Sequence, residues 1–174
     1  MLGCEQVSKE DLNDSPKNEL KSEKFSIKYE EYEVQAQILP ATSLTKADFE
    51  NSMTYDLVLN SEFLKTPVVT QIVQKINADG SFVLVHYVEG VRVATLYYNV
   101  AGDLLDIEVE EIPNTRAAWS FLDCVTSKYS QLKKDMEGSL MEIIVDCGGP
   151  VSVVALAATA GADCAGMFEH IGIK

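Results

Sequence analysis

For most of this chain, apolar and polar residues alternate. Near the C-terminus the apolar positions switch to helical spacing. In "FSIKYEEYEVQAQIL", Phe25, Ile27 and Tyr29 share one face, and after an extra residue at Glu30 or Glu31 the alternation resumes at Tyr32, Val34, Ala36 and Ile38. Period two with one inserted residue predicts a single bulged strand, ended by Pro40. "TKAD" at 45–48 reads as a capping box, with Thr45 as N-cap and Asp48 as a shorter substitute for glutamate. Phe49, Met53 and Leu57 follow at fourfold spacing, which predicts a short helix over about residues 46–57.

The central pattern is an antiparallel meander. "INADGSFVLVHY" and "YNVAGDLLDIEV" each carry Asn-x-x-Gly before an apolar extended run, at Asn77/Gly80 and at Asn99/Gly102. Glycine supplies the positive φ of such a turn and asparagine favours its start. "EG" at 89–90 separates two further runs as a two-residue hairpin turn. The strands fall at roughly 69–76, 81–88, 91–98 and 104–111. For the first of these a helix is the alternative, because Thr66-Pro67 could open one carrying Val69, Ile72, Val73 and Ile76. The second hairpin resembles one unit of the tyrosine-aspartate repeats of large bacterial surface proteins, a pattern that turn chemistry alone also produces.

Beyond Pro113 the period changes. Asn114 or Thr115 can cap a helix carrying Trp119, Leu122, Val125, Tyr129, Leu132 and Met136, ended by Gly138. Ser139 and Glu142 form a capping box for a second, short helix from Leu140 to about Val145. "CGGP" then breaks the chain, and Pro150 suits the first turn of a third helix running to about Gly161. This third helix is predicted to be buried, giving the amphipathic first helix an apolar partner. The fold class expected is therefore α+β, an antiparallel β-meander with a C-terminal helical hairpin array. Three segments follow: an acidic, unstructured tether at 1–24, a β-rich domain at 25–113, and a helical, cysteine-containing region at 114–174.

Charge narrows the partners. At 47% hydrophobic, the 174 residues hold enough apolar side chains for a real core. The net charge is −13, and −11 of it falls on residues 1–113, which hold 9 basic and 20 acidic side chains. With no basic stripe, nucleic acid is not an expected partner. The longest apolar run, Val151 to Ala160, is too short for a membrane-spanning helix. The only membrane association expected is through a lipid on Cys4. "MLGCEQVSKEDLNDSPKNELKSEK" places Gly3 before Cys4 and a polar, acidic stretch after it. This resembles the cleavage end of a bacterial lipoprotein signal, although Leu2 replaces the more usual small residue and no apolar segment precedes it. The resemblance implies an extracytoplasmic protein lipidated on Cys4. If Met1 is the true start, the protein is cytoplasmic instead.

The remaining cysteines are Cys124, Cys147 and Cys164. With helix two folding back at Gly138, a rise of about 1.5 Å per residue puts Cys147 about 13 Å and Cys124 about 21 Å from that turn. A relaxed loop closes this gap, whereas an intact third helix holds Cys147 and Cys164 apart. A Cys124–Cys147 disulfide is therefore expected, against the alternative of three reduced buried thiols. The same cysteines with His170 have zinc-type donors but lack close Cys-x-x-Cys pairs, so no metal or other cofactor is expected. His86 sits mid-strand and reads as a surface or packed residue, not as a catalytic partner of a cysteine. Asp106, Glu108 and Glu110, flanked by Asp103 and Glu111, alternate onto one strand face and read as a solvated surface in preference to a cation site. Tyr87, Tyr97 and Tyr98 are expected to stabilise the sheet through cross-strand pairs. P-loop, G-x-G-x-x-G, H-E-x-x-H and G-x-S-x-G motifs are absent.

The expectation is thus a non-enzymatic exported or cell-surface protein with a binding or structural role. The alternative comes from residues 119–174. An acidic N-terminal portion before a cysteine-containing, Gly/Ala-rich apolar segment is similar to bacteriocin-like peptide precursors, and implies that the C-terminal segment is the active peptide. The leader in such families can also serve immunity. An enzyme with an unrecognised site is the third reading.

Overall fold

In the computed structural model, the described residues are 3–6 (backbone only), 19–40, 52–111, 120–136 and 149–168. Eight strands run β1 (Gly3–Gln6), β2 (Glu23–Tyr29), β3 (Tyr32–Pro40), β4 (Ser52–Asn60), β5 (Val68–Ile76), β6 (Phe82–Val88), β7 (Val91–Tyr98) and β8 (Leu104–Val109). Two helices follow, α1 (Phe121–Asp135) and α2 (Val151–Cys164). Each strand pairs antiparallel with the next, so the spatial order equals the chain order. The architecture is α+β, a meander followed by C-terminal helices, as the periodicity predicts.

Turn chemistry sets this order. Gly80 (φ 92°) and Gly102 (φ 91°) occupy the left-handed positions foreseen for them. The Asn77 and Asn99 carbonyls accept from the N–H of Gly80 and Gly102 at 3.0 and 3.1 Å. Glu89 (φ 53°) and Gly90 (φ 78°) are both left-handed, the backbone of a type I′ hairpin turn.

Three expectations require correction. Residues 25–38 are two strands joined by a tight turn, not one bulged strand: Tyr29 pairs with Tyr32, and Glu30 takes φ 54°. The helix expected at 46–57 is strand β4 from Ser52, in which Tyr55, Leu57 and Leu59 are buried. A spacing of four satisfies period two as well as a helical turn, and the alternation Tyr55/Leu57/Leu59 decides between them. Thr45 and Asp48 lie outside the described residues. The tether expected over 1–24 fails at 3–6, where β1 pairs with β2, and at Leu20, which is buried and donates its N–H to Gln74 Oε1 at 2.9 Å.

Alternation along the strands gives the sheet one apolar face. The cross-strand register aligns Tyr55, Ile72, His86 and Ala94 in one rank and Leu84, Leu96 and Ile107 in another. Phe82 stacks on Tyr98, with ring centroids 4.9 Å apart. α1 packs on β7 and β8, and α2 on β2 and β4. Eight strands at about 4.8 Å spacing span about 34 Å when flat, more than two helices about 10 Å wide can cover. Yet residues from Phe25 on β2 to Ile107 on β8 are buried in one core with both helices. The sheet therefore coils around the helix pair.

Candidate functional site: a helical hairpin held by the sheet

The sequence of α1 explains where it starts. Ser120 accepts from the Asp123 N–H, and the Asp123 carboxylate accepts from the Ser120 N–H at 2.9 Å, a complete capping box. The helix begins at Phe121, not after Asn114 or Thr115, and the overlooked signal was Ser-x-x-Asp directly before the apolar run. Asn114, Thr115 and Trp119 lie outside the described residues. Phe121, Leu122, Cys124, Val125, Tyr129 and Leu132 make the buried face of α1. The short helix expected at 140–145 falls outside the described residues.

α2 is of a different kind. Every residue from Val151 to Ala162 is buried, so the helix has no solvated side over twelve residues. Its two hydroxyls in that stretch turn back to their own backbone, Ser152 Oγ to the Gly149 carbonyl and Thr159 Oγ1 to the Ala155 carbonyl, each at 2.8 Å. Burial of an all-apolar helix thus leaves neither hydroxyl without a partner. The helix ends in a Schellman motif. Gly166 (φ 76°) donates to the Asp163 carbonyl and Met167 to the Ala162 carbonyl.

Two features fasten α2 to α1. At Gly161 the helices approach so closely that a Cβ would land on the Val125 side chain, 3.1 Å from the Val125 backbone nitrogen and 3.2 Å from Phe121 Cε2. One turn away, Cys124 and Cys164 form a disulfide with Cα atoms 5.7 Å apart. Cys124 is therefore paired with Cys164, not with Cys147 as expected. The reason is helix direction: the start of α1 lies beside the end of α2 in an antiparallel pair. The spacing along the chain carries no sign of this direction, so Cys124 and Cys164 do not stand out as a pair in the sequence. Cys147 is outside the described residues, as is His170. The bonded Cys124 and Cys164 offer no thiolate to the zinc set considered above.

The sheet grips this hairpin through apolar packing and a few polar bonds. The Tyr98 hydroxyl donates to the Pro150 carbonyl at 2.7 Å, at the start of α2. Beyond its end, Phe168 stacks on Tyr32 with centroids 4.3 Å apart, and Phe63 meets Tyr32 edge-on. In the middle, His86 Nδ1 lies 2.7 Å from the Tyr129 hydroxyl, joining β6 to α1. Both side chains are fully buried. Burial pushes the His86 pKa down to about 3 and raises that of Tyr129 well above the ordinary tyrosine value.

The other candidate residues stay apart from this interface or join it singly. Tyr97 and Tyr98 point to opposite faces: the Tyr97 hydroxyl donates to Glu108 at 2.8 Å, while Tyr98 enters the core. Tyr87 is half-buried. Asp106 on β8 and Glu110 just past it have protein partners, Lys133 for Asp106 at 3.8 Å and Arg92 for Glu110 at 2.9 Å. Among the described residues, no group of three His, Cys, Asp or Glu side chains converges as a metal site. No helix among them is long and apolar enough to cross a membrane. The backbone of Cys4 lies in β1, opposite Ile27.

Comparison of the chain with protein-family models, with curated proteins and with solved structures finds no match.

Proposed function

We propose that this is a non-enzymatic exported protein whose acidic β-sheet acts as a holder for its own C-terminal, disulfide-linked helical hairpin. The carrying observation is α2, buried on every side from Val151 to Ala162. In a cup-shaped β-protein the concave face is where a ligand binds. Here the chain's own C-terminal segment fills that face, so the binding role expected from the sequence is directed inward. A helix apolar all round is stable only inside a protein or a membrane, and separation from the sheet would expose it. This favours the precursor reading, in which the hairpin is the active part and the sheet keeps it inert. The Cys124–Cys164 bond supports an oxidising compartment. A lipid on Cys4 would tether the holder to the envelope. Intact mass of the protein exported by its native host tests that anchor, and an unmodified Cys4 removes it.

The test of the holder is a full-length protein with a protease site inserted between residues 111 and 120. After cutting, the two pieces are expected to co-elute in buffer and to leave dye-loaded phospholipid vesicles intact. Once separated in denaturant and diluted onto vesicles, the disulfide-linked piece is expected to release the dye. Separated pieces that are inert would show that the hairpin is simply the core of the fold.

A further inference from the structure

We propose that His86 is an acid-sensitive latch between the sheet and the hairpin: in acid its ring takes up a proton when α1 and α2 leave the sheet, which weakens their docking while the strands stay paired. The proposal rests on the holder reading for its purpose but not for its test, since the latch is read in the uncut chain.

The geometry is specific. His86 stands on the inner face of β6, in the rank that also holds Ile72 of β5 and Ala94 of β7. Its Nδ1 has one partner, the Tyr129 hydroxyl of α1. Its Nε2 is buried and has no hydrogen-bond partner among the described residues. A neutral imidazole tolerates this arrangement, because one nitrogen is bonded and the other carries no charge. An imidazolium has two N–H donors and a full positive charge, and among the described residues one oxygen, that of Tyr129, bonds the ring. Thr70 Oγ1, likewise buried and unpartnered, is two positions along β5 from Ile72; a hydroxyl there can accept a bond but supplies no negative charge.

Among the described residues, no charged group acts on the His86 ring. Among the described residues, Glu23 stands toward the β2 edge of this face, opposite Ile38, and Glu19 acts on Tyr55 through its charge; on β4 to β7 and α1 the face carries three tyrosines, Tyr129 on α1, Tyr98 on β7 and Tyr55 on β4. Burial raises the pKa of all three, so they stay neutral throughout the acid range. On β7, Arg92 is drawn to Glu110. Lys75 of β5 pairs across from Val83, on the opposite parity to His86 and hence on the other face. Lys133 of α1 reaches Asp106, which lies on β8. α2 carries one ionisable side chain outside the disulfide, Asp163, whose charge acts on Tyr29. Burial alone holds the His86 pKa down, and the cheapest relief for a proton on Nε2 is to let water in along the face that α1 covers. The strands lose no backbone hydrogen bond when that happens. Among the described residues, no backbone–backbone hydrogen bond joins a helix to the sheet.

The sign follows from linkage. The ring binds a proton at about pH 6.5 when exposed and at about pH 3 when docked. The undocked state therefore holds more protons between these values, and docking weakens as pH falls through that window. Each pH unit below 6.5 shifts the docked–undocked equilibrium by roughly tenfold, so the change from pH 7 to pH 5 is about 25-fold.

The experiment is amide hydrogen exchange on the full, oxidised chain at pH 7, 6 and 5, corrected for intrinsic rates, alongside nitrogen NMR of the His86 ring. The expected result is a fall of about 25-fold in protection of α1 and α2, with β4 to β7 unchanged, and a neutral ring in the docked state at every pH. His86→Gln, which keeps a hydrogen-bonding side chain for Tyr129 but does not titrate, is expected to abolish the pH slope. Helix protection independent of pH, equal loss in sheet and helices, or the same slope in His86→Gln would each overturn the latch. Should that variant not fold, a charged ring at pH 6 with α1 and α2 still protected in the unaltered protein overturns it equally. A working latch with a hairpin inert toward vesicles would instead refute the holder reading and leave the latch standing.

Discussion

Replacing Cys164 by serine is expected to lower the unfolding free energy by about 4 kcal/mol, and Cys124→Ser by the same amount. The bond closes a loop over a separation of 40 residues. Loop-closure entropy for that length gives about 13 cal/mol/K, or about 4 kcal/mol at 25 °C. The two cysteines differ in setting, Cys124 buried in the α1–α2 seam and Cys164 exposed at the end of α2. Equal losses from both serines therefore report the bond, not lost packing. Urea unfolding with and without reductant measures it: reductant is expected to bring the unaltered protein down to the level of the variants. Cys147→Ser is expected to keep the full reductant-sensitive stability. Loss of that sensitivity in Cys147→Ser, with its retention in Cys164→Ser, would return the pairing to Cys124–Cys147.

Gly161→Val is expected to cost about 3 kcal/mol, the upper end of the usual range for overpacking. A glycine inside a helix ordinarily invites substitution, since alanine there gains about 1 kcal/mol of helix propensity. Here the first added carbon already meets Val125 and Phe121, and one of the groups it approaches is the Val125 backbone nitrogen at 3.1 Å, which has no rotamer to escape into. Gly161→Ala is expected to be destabilising by about 1–2 kcal/mol despite its better propensity. Thermal or urea unfolding at pH 7 decides the matter, and an alanine variant more stable than the parent would mean that the helices are not in such close contact. Ala157 and Ala158, both fully buried, should resist leucine for the same reason, at about 1–3 kcal/mol each.

The parts of the fold written in local chemistry were legible from the chain. The Asn-x-x-Gly turns, the Glu89-Gly90 hairpin and the four strands they connect follow from φ preferences and alternation, and Pro150 opens α2 as its rigid φ suggests. Errors arose where one local signal fits two structures. Phe49, Met53 and Leu57 satisfy a helical repeat and a strand repeat together, and Glu30-Glu31 can be a bulge or a turn, because neither residue announces a left-handed backbone. The hairpin's attachment to the sheet was illegible for another reason. His86 meets Tyr129 across 43 residues and Cys124 meets Cys164 across 40, and no periodicity encodes which distant elements face one another. His86 was read as a surface or a packed strand residue; it is packed, and its partner had to be seen.

The strictly sequential strand order has a consequence for how the chain is made. Each strand finds its partner next to it in sequence, so pairing can proceed from β1 to β8 as the polypeptide emerges, without a crossover between distant strands. The face these strands present to α1 and α2 finds no cover in that process. Its apolar ranks wait for residues 120–168, which leave the ribosome after every strand. During that interval the molecule is a paired sheet with a bare greasy surface, the kind of species that chaperones retain and that self-associates when they do not. Cover for that face thus depends on the two helices, and a chain that stops short of α2 should be withheld or degraded.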